Sequence, residues 1–482
     1  MSQTYDSRRW LSLSIIIMAM FMVVLDVFIV NVALPSIQQM LHADFTKLQF
    51  IVAGYVLSYA VLLITGGRLG DLFGRKKMFL LGVAGFVLTS AWCGFSTSSE
   101  MLITARVFQG ISAAAMVPQV LSLIQVLFPV EERGKALGIY GAVLGIGGVA
   151  GQVVGGLLLE ADWWGMGWRL VFLVNIPVGI VAFLLAFWLI RESYATERKR
   201  LDLTGVGLVT LGLILLIYPL VVGRERGWPM LVYFSIALSA VVLTGFVLFE
   251  KMLQRQGASP LVPITLFQDV AFRRGMLIAL AFYSGNAALY FILSVFMQSG
   301  LGFAPLQSAY TFIPLGAGYF IASLLTPNMK KRFGNRVLLA GAIFMAIGYL
   351  LLIGIIEGST TFAWTAFFIP LLIAGAGQGA IASPLIHTVL AGVKGAHAGA
   401  ASGVLNTFSQ VAQAVGVAVI GSLFQSMLSY FGAGSRVQVY IETLQSSLVL
   451  ITVLAVVTFL LVMTLGYVRK AERRLSVQGD AS

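Results

Sequence analysis

Two charged residues stand inside apolar stretches that offer a charge no ordinary surroundings. Asp26 lies midway along Val23-Val24-Leu25-Asp26-Val27-Phe28-Ile29, and Arg106 lies in Leu102-Ile-Thr-Ala-Arg106-Val-Phe-Gln109-Gly110. At the centre of a membrane helix such a charge costs roughly 2.5–3.5 kcal/mol even on lenient insertion scales. It is kept where it meets a cavity, a partner or a proton. Arg106 is the candidate counter-charge to Asp26. One reading is an ion pair that locks two helices together; the other is proton chemistry. Desolvation favours the neutral acid and a nearby guanidinium favours the carboxylate. A carboxyl whose solvation changes with conformation can load a proton on one side of a membrane and release it on the other.

The second half of the chain has no comparable carboxylate. Its embedded polar groups are uncharged: Tyr283, Asn286, Tyr290, Gln378, Asn406, Gln410 and Gln413. Asn406, Gln410 and Gln413 follow a 4–3 helical spacing and so share one face. Amides of this kind either glue helices together or bind a ligand. With Asn31 and Gln109 of the first half, and leaving Gln378 aside, these residues are the candidates for a substrate cavity. Glycine is dense at Gly141, Gly145, Gly147, Gly148, Gly151, Gly155 and Gly156. The run from Gly145 to Gly151 is like a dinucleotide loop but lacks the preceding strand. The spacing of four at Gly147, Gly151 and Gly155 predicts close helix packing, and bending there during gating is compatible with it. Cys93 is the single cysteine, and His42, His387 and His397 show no i, i+4 spacing. No metal site, cofactor or nucleophile–base pair is expected, so the chain does not read as an enzyme. His387 is read as structural.

These residues need membrane helices to position them. The chain has 482 residues, 59% hydrophobic and 10% charged, against roughly 25% charged in soluble domains; its mean hydropathy is +0.94. A span needs about 20 apolar residues, and fourteen such runs are present: 11–37, 47–67, 78–97, 101–127, 136–159, 170–190, 203–222, 230–250, 275–298, 306–328, 337–356, 362–390, 399–424 and 446–468. The first follows Arg8 and Arg9 but is too long for a signal peptide and has no small-residue cleavage site, so it is read as a retained helix. With the N-terminus inside, the inward segments hold 25 Lys and Arg, while the outward loops hold five: Lys47, Arg169, Arg224, Arg226 and Arg436. That asymmetry predicts cytoplasmic N- and C-termini in an inner (cytoplasmic) membrane. It also accounts for the net charge of +12 without nucleic acid. Trp163, Trp164 and Trp168 on one outer loop read as an interfacial aromatic belt.

An internal repeat divides the chain. Gly67-Arg-Leu-Gly-Asp-Leu-Phe-Gly-Arg-Lys-Lys77 follows the second run, and Pro327-Asn-Met-Lys-Lys-Arg-Phe-Gly-Asn-Arg336 follows the tenth; Phe73-Gly74 aligns with Phe333-Gly334. The predicted architecture is all-α and membrane-embedded. A six-helix bundle (1–200) is followed by two inserted helices (201–250), a cytoplasmic linker (251–274), a second six-helix bundle (275–468) and a cytoplasmic tail (469–482).

The order of these motifs resembles the fourteen-span drug:proton antiporters of the major facilitator superfamily (the QacA/EmrB type). Leu25-Asp26-Val-Phe-Ile-Val-Asn31-Val-Ala-Leu-Pro35 is similar to their first-helix signature, and Gly67 to Lys77 to the loop motif after the second helix. Arg106-Val-Phe-Gln-Gly110 resembles the fourth-helix motif, and Gly138 to Gly156 the fifth-helix antiporter motif. Trp168-Arg169 with Phe172-Leu-Val-Asn-Ile-Pro-Val-Gly179, Arg200-Leu-Asp202-Leu-Thr-Gly205 and Ala401-Ser-Gly-Val-Leu-Asn406-Thr-Phe-Ser-Gln410 also match the type. The resemblance implies the major facilitator fold. It implies proton binding at Asp26, with cationic substrate as a second ligand, and assistance from Arg106. It implies a cytoplasmic latch at Gly67, Gly70, Asp71, Gly74 and Arg75. In the antiporter motif, Gly147, Gly151, Gly155 and Gly156 would pack helices; Gly151-Gln152 stands where Gly-Pro is usual, and losing the proline removes a kink signal and adds an amide. No second-half acid of the kind some relatives use for multivalent cations is present.

The expected function is proton-coupled efflux of small lipophilic or cationic compounds, of the multidrug type. The expected partners are a small-molecule substrate, protons and the bilayer, and by resemblance such carriers can work as monomers. The rivals are an exporter of a specific metabolite, lipid or siderophore, and a membrane sensor that does not transport.

Overall fold

In hydrocarbon every backbone N–H and C=O must be satisfied within its own segment, so long apolar runs become helices. In the computed structural model, which describes residues 8–194, 202–223, 227–258, 260–357, 362–390, 398–431 and 435–479, all fourteen runs do so. Arg200, Arg224, Arg226, Lys394, His397 and the side chain of His387 lie outside the described residues. The helices are α1 (Arg9–Met40), α2 (Phe45–Phe73), α3 (Arg75–Gly94), α4 (Ser99–Leu127), α5 (Val130–Ala161), α6 (Asn175–Leu189, led in by a turn at Leu170–Leu173) and α7 (Leu203–Val222). They continue as α8 (Met230–Arg255), α9 (Val270–Val295, prolonged by a π turn at Phe296–Gly300), α10 (Pro305–Phe333), α11 (Arg336–Glu357), α12 (Phe368–Leu390), α13 (Ala398–Tyr430) and α14 (Arg436–Gly479). No strand occurs among the described residues.

Local chemistry sets several helix starts. Asp44 accepts from Lys47 N at 2.7 Å, Ser98 from Met101 N at 3.2 Å and Asp269 from Phe272 N at 2.8 Å, each satisfying an orphan donor of the first turn. The two halves of the repeat turn on a glycine in the left-handed region, Gly74 at φ 107° and Gly334 at φ 60°, which a side chain rarely adopts. Helices overrun their apolar cores, because hydropathy reads only the hydrocarbon-facing part while backbone hydrogen bonding carries on beyond it. As a result α8 ends at Arg255 and α9 starts at Val270, which shortens the expected linker to residues 256–269; among its described residues a 3-10 turn forms at Ile264–Gln268. The segment expected as a tail continues α14.

Packing repeats with the sequence. In the first half α2 lies against α4, α3 against α4 and α1 against α5; in the second half α10 lies against α12, α11 against α12 and α9 against α13. The bundles meet along α5–α10 and α2–α13. The inserted α7 and α8 pack on each other, and α7 touches both α2 and α13. Trp168 departs from the belt reading. It is fully buried edge-on against Phe172, with the Arg169 guanidinium over its ring, while Trp163 and Trp164 are exposed.

Candidate functional site

Asp26 is sealed in a polar cage inside the first bundle. Its Oδ2 accepts from Arg106 Nη1 at 2.5 Å, and its Oδ1 accepts from Gln109 Nε2 at 2.9 Å and Asn175 Nδ2 at 3.0 Å. Arg106 Nη1 also donates to Gln109 Oε1 at 2.7 Å, and its Nε to the carbonyl of Ile51 at 3.2 Å. Gln109 donates to Ser90 Oγ at 2.9 Å, and the Cys93 thiol reaches Gln109 Oε1 at 3.6 Å. The guanidinium lies 4.1 Å from the ring centroid of Tyr55 and 5.7 Å from that of Phe172, a cation–π arrangement that partly replaces lost hydration. Five helices (α1, α2, α3, α4 and α6) each supply a member, and Asp26 and Arg106 are 0% and 1% exposed. Both charges are therefore fully desolvated and depend on each other.

A neighbouring face of α1 borders a different space. Val23, Val24, Val27 and Phe28 line a cavity of about 230 Å³ between the two bundles. From the second half it takes Tyr283, Asn286, Tyr290, Gln410 and Gln413, all anticipated from sequence, together with Tyr319, which was not; Tyr59 comes from α2. Gln413 Nε2 donates to Gln410 Oε1 at 3.3 Å, as their shared face requires. Asn406 is exposed one turn further along that face. Two expected cavity residues stand elsewhere. Gln109 is committed to the Asp26 cage. Asn31 points back at its own helix, its amide 3.4 Å from the carbonyls of Val27 and Phe28. No charged side chain is among the cavity-lining residues, Asp26 included.

The cavity is shut at one end. Ser294 Oγ donates to the Asn31 carbonyl at 2.7 Å, Gln298 Nε2 to that of Val32 at 3.0 Å, and Gln49 Nε2 to that of Val417 at 2.9 Å. Phe45 packs on Phe291 and Phe424, and Tyr290 sits between Phe28 and Phe312. All of these lie at or beyond mid-helix, towards the end opposite the termini. At the other end Leu137 and Ile139 of α5 are exposed, and a methyl group added at Gly138, Gly141 or Gly334 would touch nothing within 4 Å.

The α5 glycines form the seam. A Cβ on Gly147 would lie 2.6 Å from Val24, on Gly151 2.8 Å from the Leu25 carbonyl and on Gly155 2.9 Å from Ile29, so this stripe lets α5 lie directly on α1. Gly156 instead meets Ala309 of α10, at 2.7 Å. Gln152 falls on the face shared by Gly148 and Gly156, fully buried, and neither amide atom has a hydrogen-bond partner. An unpaired buried amide costs about 1–3 kcal/mol. Gln152→Leu is therefore expected to stabilise this closed seam by about 1 kcal/mol, read as a rise in the thermal unfolding midpoint of purified protein; a fall would mean that the amide is paired.

Apart from Arg68, the latch segment is held within the first bundle. Asp71 Oδ1 pairs with Arg75 Nη2 at 2.9 Å, one helical turn away. The N-terminus of α3 is capped by Glu192, which accepts from Lys76 N at 2.9 Å and Lys77 N at 3.1 Å. Gly70 and Gly74 make room: a Cβ would run into Gln119 at one and Glu192 at the other. Gly67 is looser, with Pro118 at 3.5 Å. Sequence reasoning missed Glu192, Ser90, Tyr55 and, as a cage member, Asn175. Asn175 was legible by the rule that found Asp26, an isolated polar residue in an apolar run.

Fourteen packed apolar helices, two repeated bundles and a cavity between them define a polytopic membrane carrier. The Major Facilitator Superfamily model matches residues 16–417, and the chain belongs to that superfamily. A probable actinorhodin transporter of Streptomyces coelicolor is 40% identical over 88% of this chain and 73% of its own length. A puromycin resistance protein of Streptomyces alboniger is 35% identical over 87% and 82%. A tetracenomycin C resistance and export protein of Streptomyces glaucescens is 32% identical over 87% and 76%. Among solved structures, a bacterial homologue of the human lysosomal transporter Spinster, captured inward-facing, superposes with a TM-score of 0.69 at 18% identity, covering 96% of this chain and 98% of that one.

Proposed function

We propose that this protein is a proton-coupled exporter of antibiotic-like aromatic compounds, with the proton carried at Asp26. One observation carries the reading: the carboxyl sits in a sealed cage on the helix whose other face lines the cavity. A proton on Asp26 would cancel its attraction for Arg106 and remove an acceptor facing Gln109 and Asn175. The cage would then repack, and α1 would shift against the stripe of small residues on α5. Substrate bound on one face of α1 and proton bound on the other thus compete through the position of one helix, which is what antiport requires.

The loop charge supports an orientation with both termini in the cytoplasm. The shut end of the cavity then faces outward, so substrate would load from the cytoplasmic side. The cavity chemistry favours flat, uncharged ligands. Four phenols and three amides supply stacking surfaces, donors and acceptors. A cation would find ring faces but no counter-ion, and the relatives named for actinorhodin transport, puromycin resistance, and tetracenomycin C resistance and export make antibiotics the relevant class. Asp26 acts on the proton and not on the substrate in this reading, since it does not line the cavity.

The test is reconstitution in proteoliposomes with an imposed pH gradient, following lumenal pH as hydroxylated anthraquinones or lipophilic cations are added. Substrate-triggered proton movement with the uncharged aromatics is expected. Movement with tetraphenylphosphonium alone would keep antiport and refute the substrate class; movement with no compound would refute antiport.

A further inference from the structure

At the end of the molecule that carries the termini, away from the cavity, the linker is held by side chains from three helices. Asp202, just ahead of α7, accepts from Gly205 N at 2.8 Å through Oδ1 and from Leu261 N at 3.3 Å through Oδ2. Glu250, near the end of α8, accepts from Val262 N at 2.8 Å through Oε2. Arg68 of α2, inside the latch segment, donates to the carbonyl of Pro260. Three consecutive linker residues are thereby tied to the inserted pair and to the first bundle at once.

One oxygen of this cluster is unaccounted for. Glu250 is fully buried and its Oε1 meets no donor. It faces Asp202: Glu250 Oε1 and Asp202 Oδ2 each lie 2.4 Å from the point where a Cβ on Gly205 would stand. Gly205 is what lets the two carboxyls approach, and they are within hydrogen-bonding reach of each other. Two carboxylate oxygens are both acceptors, so nothing joins them unless one carries a proton. The charged groups facing the pair support that count. Among the described residues, Arg68 from α2 is the cation within electrostatic reach of both, and linker residues 260–262 bring none. Among the described residues, one guanidinium stands against two carboxylates, which leaves a net negative charge in a buried place that a single proton neutralises.

We propose that Asp202 and Glu250 form a second proton site, in which one proton bridges Glu250 Oε1 and Asp202 Oδ2 and thereby fastens the linker to the first bundle. The proton binds and leaves without other bond changes. When it leaves, as the medium turns alkaline, two adjacent anions repel, water enters and the N–H groups of Leu261 and Val262 are released. The linker runs directly into α9, so its release frees the covalent tether between the bundles. The site thus gives the carrier a pH-dependent restraint on rocking that is separate from the transported proton at Asp26.

The test uses the full-length protein in nanodiscs with spin labels on Lys77→Cys and Ala258→Cys, both at exposed positions, Cys93 being buried. Pulsed electron paramagnetic resonance is expected to give one narrow distance population in mildly acidic buffer and a broad, longer one in mildly alkaline buffer. Glu250→Gln places a permanent amide donor towards Asp202, so its distribution should stay narrow in both buffers, with the pH response lost. Infrared difference spectra of unlabelled wild type between the same buffers should show a carboxylic-acid C=O band that disappears on alkalinisation and is absent from Glu250→Gln; this band supplies the reading if the labelled variants do not fold. A wild-type distribution that is the same in both buffers, a Glu250→Gln variant that follows pH as wild type does, or no carboxylic-acid band dependent on Glu250 would each overturn the proposal.

Discussion

Asp26→Asn is expected to abolish uphill efflux, lowering it at least tenfold, to the level of protein-free liposomes, while leaving binding of uncharged aromatic ligands within about threefold of wild type. The wild-type carboxylate takes three donors, from Arg106, Gln109 and Asn175. An asparagine turns one acceptor into a donor that faces these donors, and it cannot take up a proton in the physiological range. It also leaves the Arg106 guanidinium buried without a counter-charge, a loss worth about 3–5 kcal/mol when one partner of a buried pair is removed. Efflux must therefore be compared with folded amount. The double variant Asp26→Asn/Arg106→Gln removes both charges and should recover much of the lost stability, because replacing a whole buried ion pair is far less costly than breaking it. If the pair were only a structural lock, the double variant would transport like wild type. Recovered folding without recovered coupling would mark Asp26 as the proton site.

Arg106→Ala carries the second large effect, with a different signature. It strands the Asp26 carboxylate in a site with almost no exposure and withdraws the donors to Gln109 Oε1 and the Ile51 carbonyl. The cage also loses the flat cation stacked on Tyr55. The stranded acid is expected to take up a proton instead of remaining charged. The variant should thus be destabilised by about 3–5 kcal/mol, lose uphill efflux, and show no proton release when substrate is added. Downhill movement of substrate should persist, since no cavity-lining residue has changed. The measurement is efflux with and without a pH gradient on the same liposomes. Equal sensitivity to the gradient in wild type and variant would remove Arg106 from the coupling.

Much of the architecture was legible along the chain. Fourteen apolar runs became fourteen helices, because a bilayer leaves the backbone no other choice. The repeat at Phe73-Gly74 and Phe333-Gly334 marked equivalent turns, because both need a backbone conformation that glycine adopts freely. Asp26 and Arg106 stood out because charge in hydrocarbon is costly enough to need a reason. What failed to show were partners whose own types are unremarkable. Ser90, Tyr55 and Glu192 look like ordinary residues until the fold brings them to Gln109, Arg106 and the start of α3. Gln109 and Asn31 read equally well as cavity groups, since sequence places a residue on a helix but does not say which neighbour its face will meet.

The sequence by itself determined the class of molecule, the number of helices, the two-bundle division and the pair of buried charges. Each follows from local quantities such as hydropathy, turn geometry and the cost of an isolated charge. Only the tertiary structure decided that Asp26 and the cavity lie on different faces of α1, that the end away from the termini is closed, and that Asp202 and Glu250 meet beneath the linker. Those facts depend on helix rotation and on contacts between residues tens to hundreds of positions apart. They are settled by how side chains from five or more segments fill one space, which no single stretch of sequence encodes.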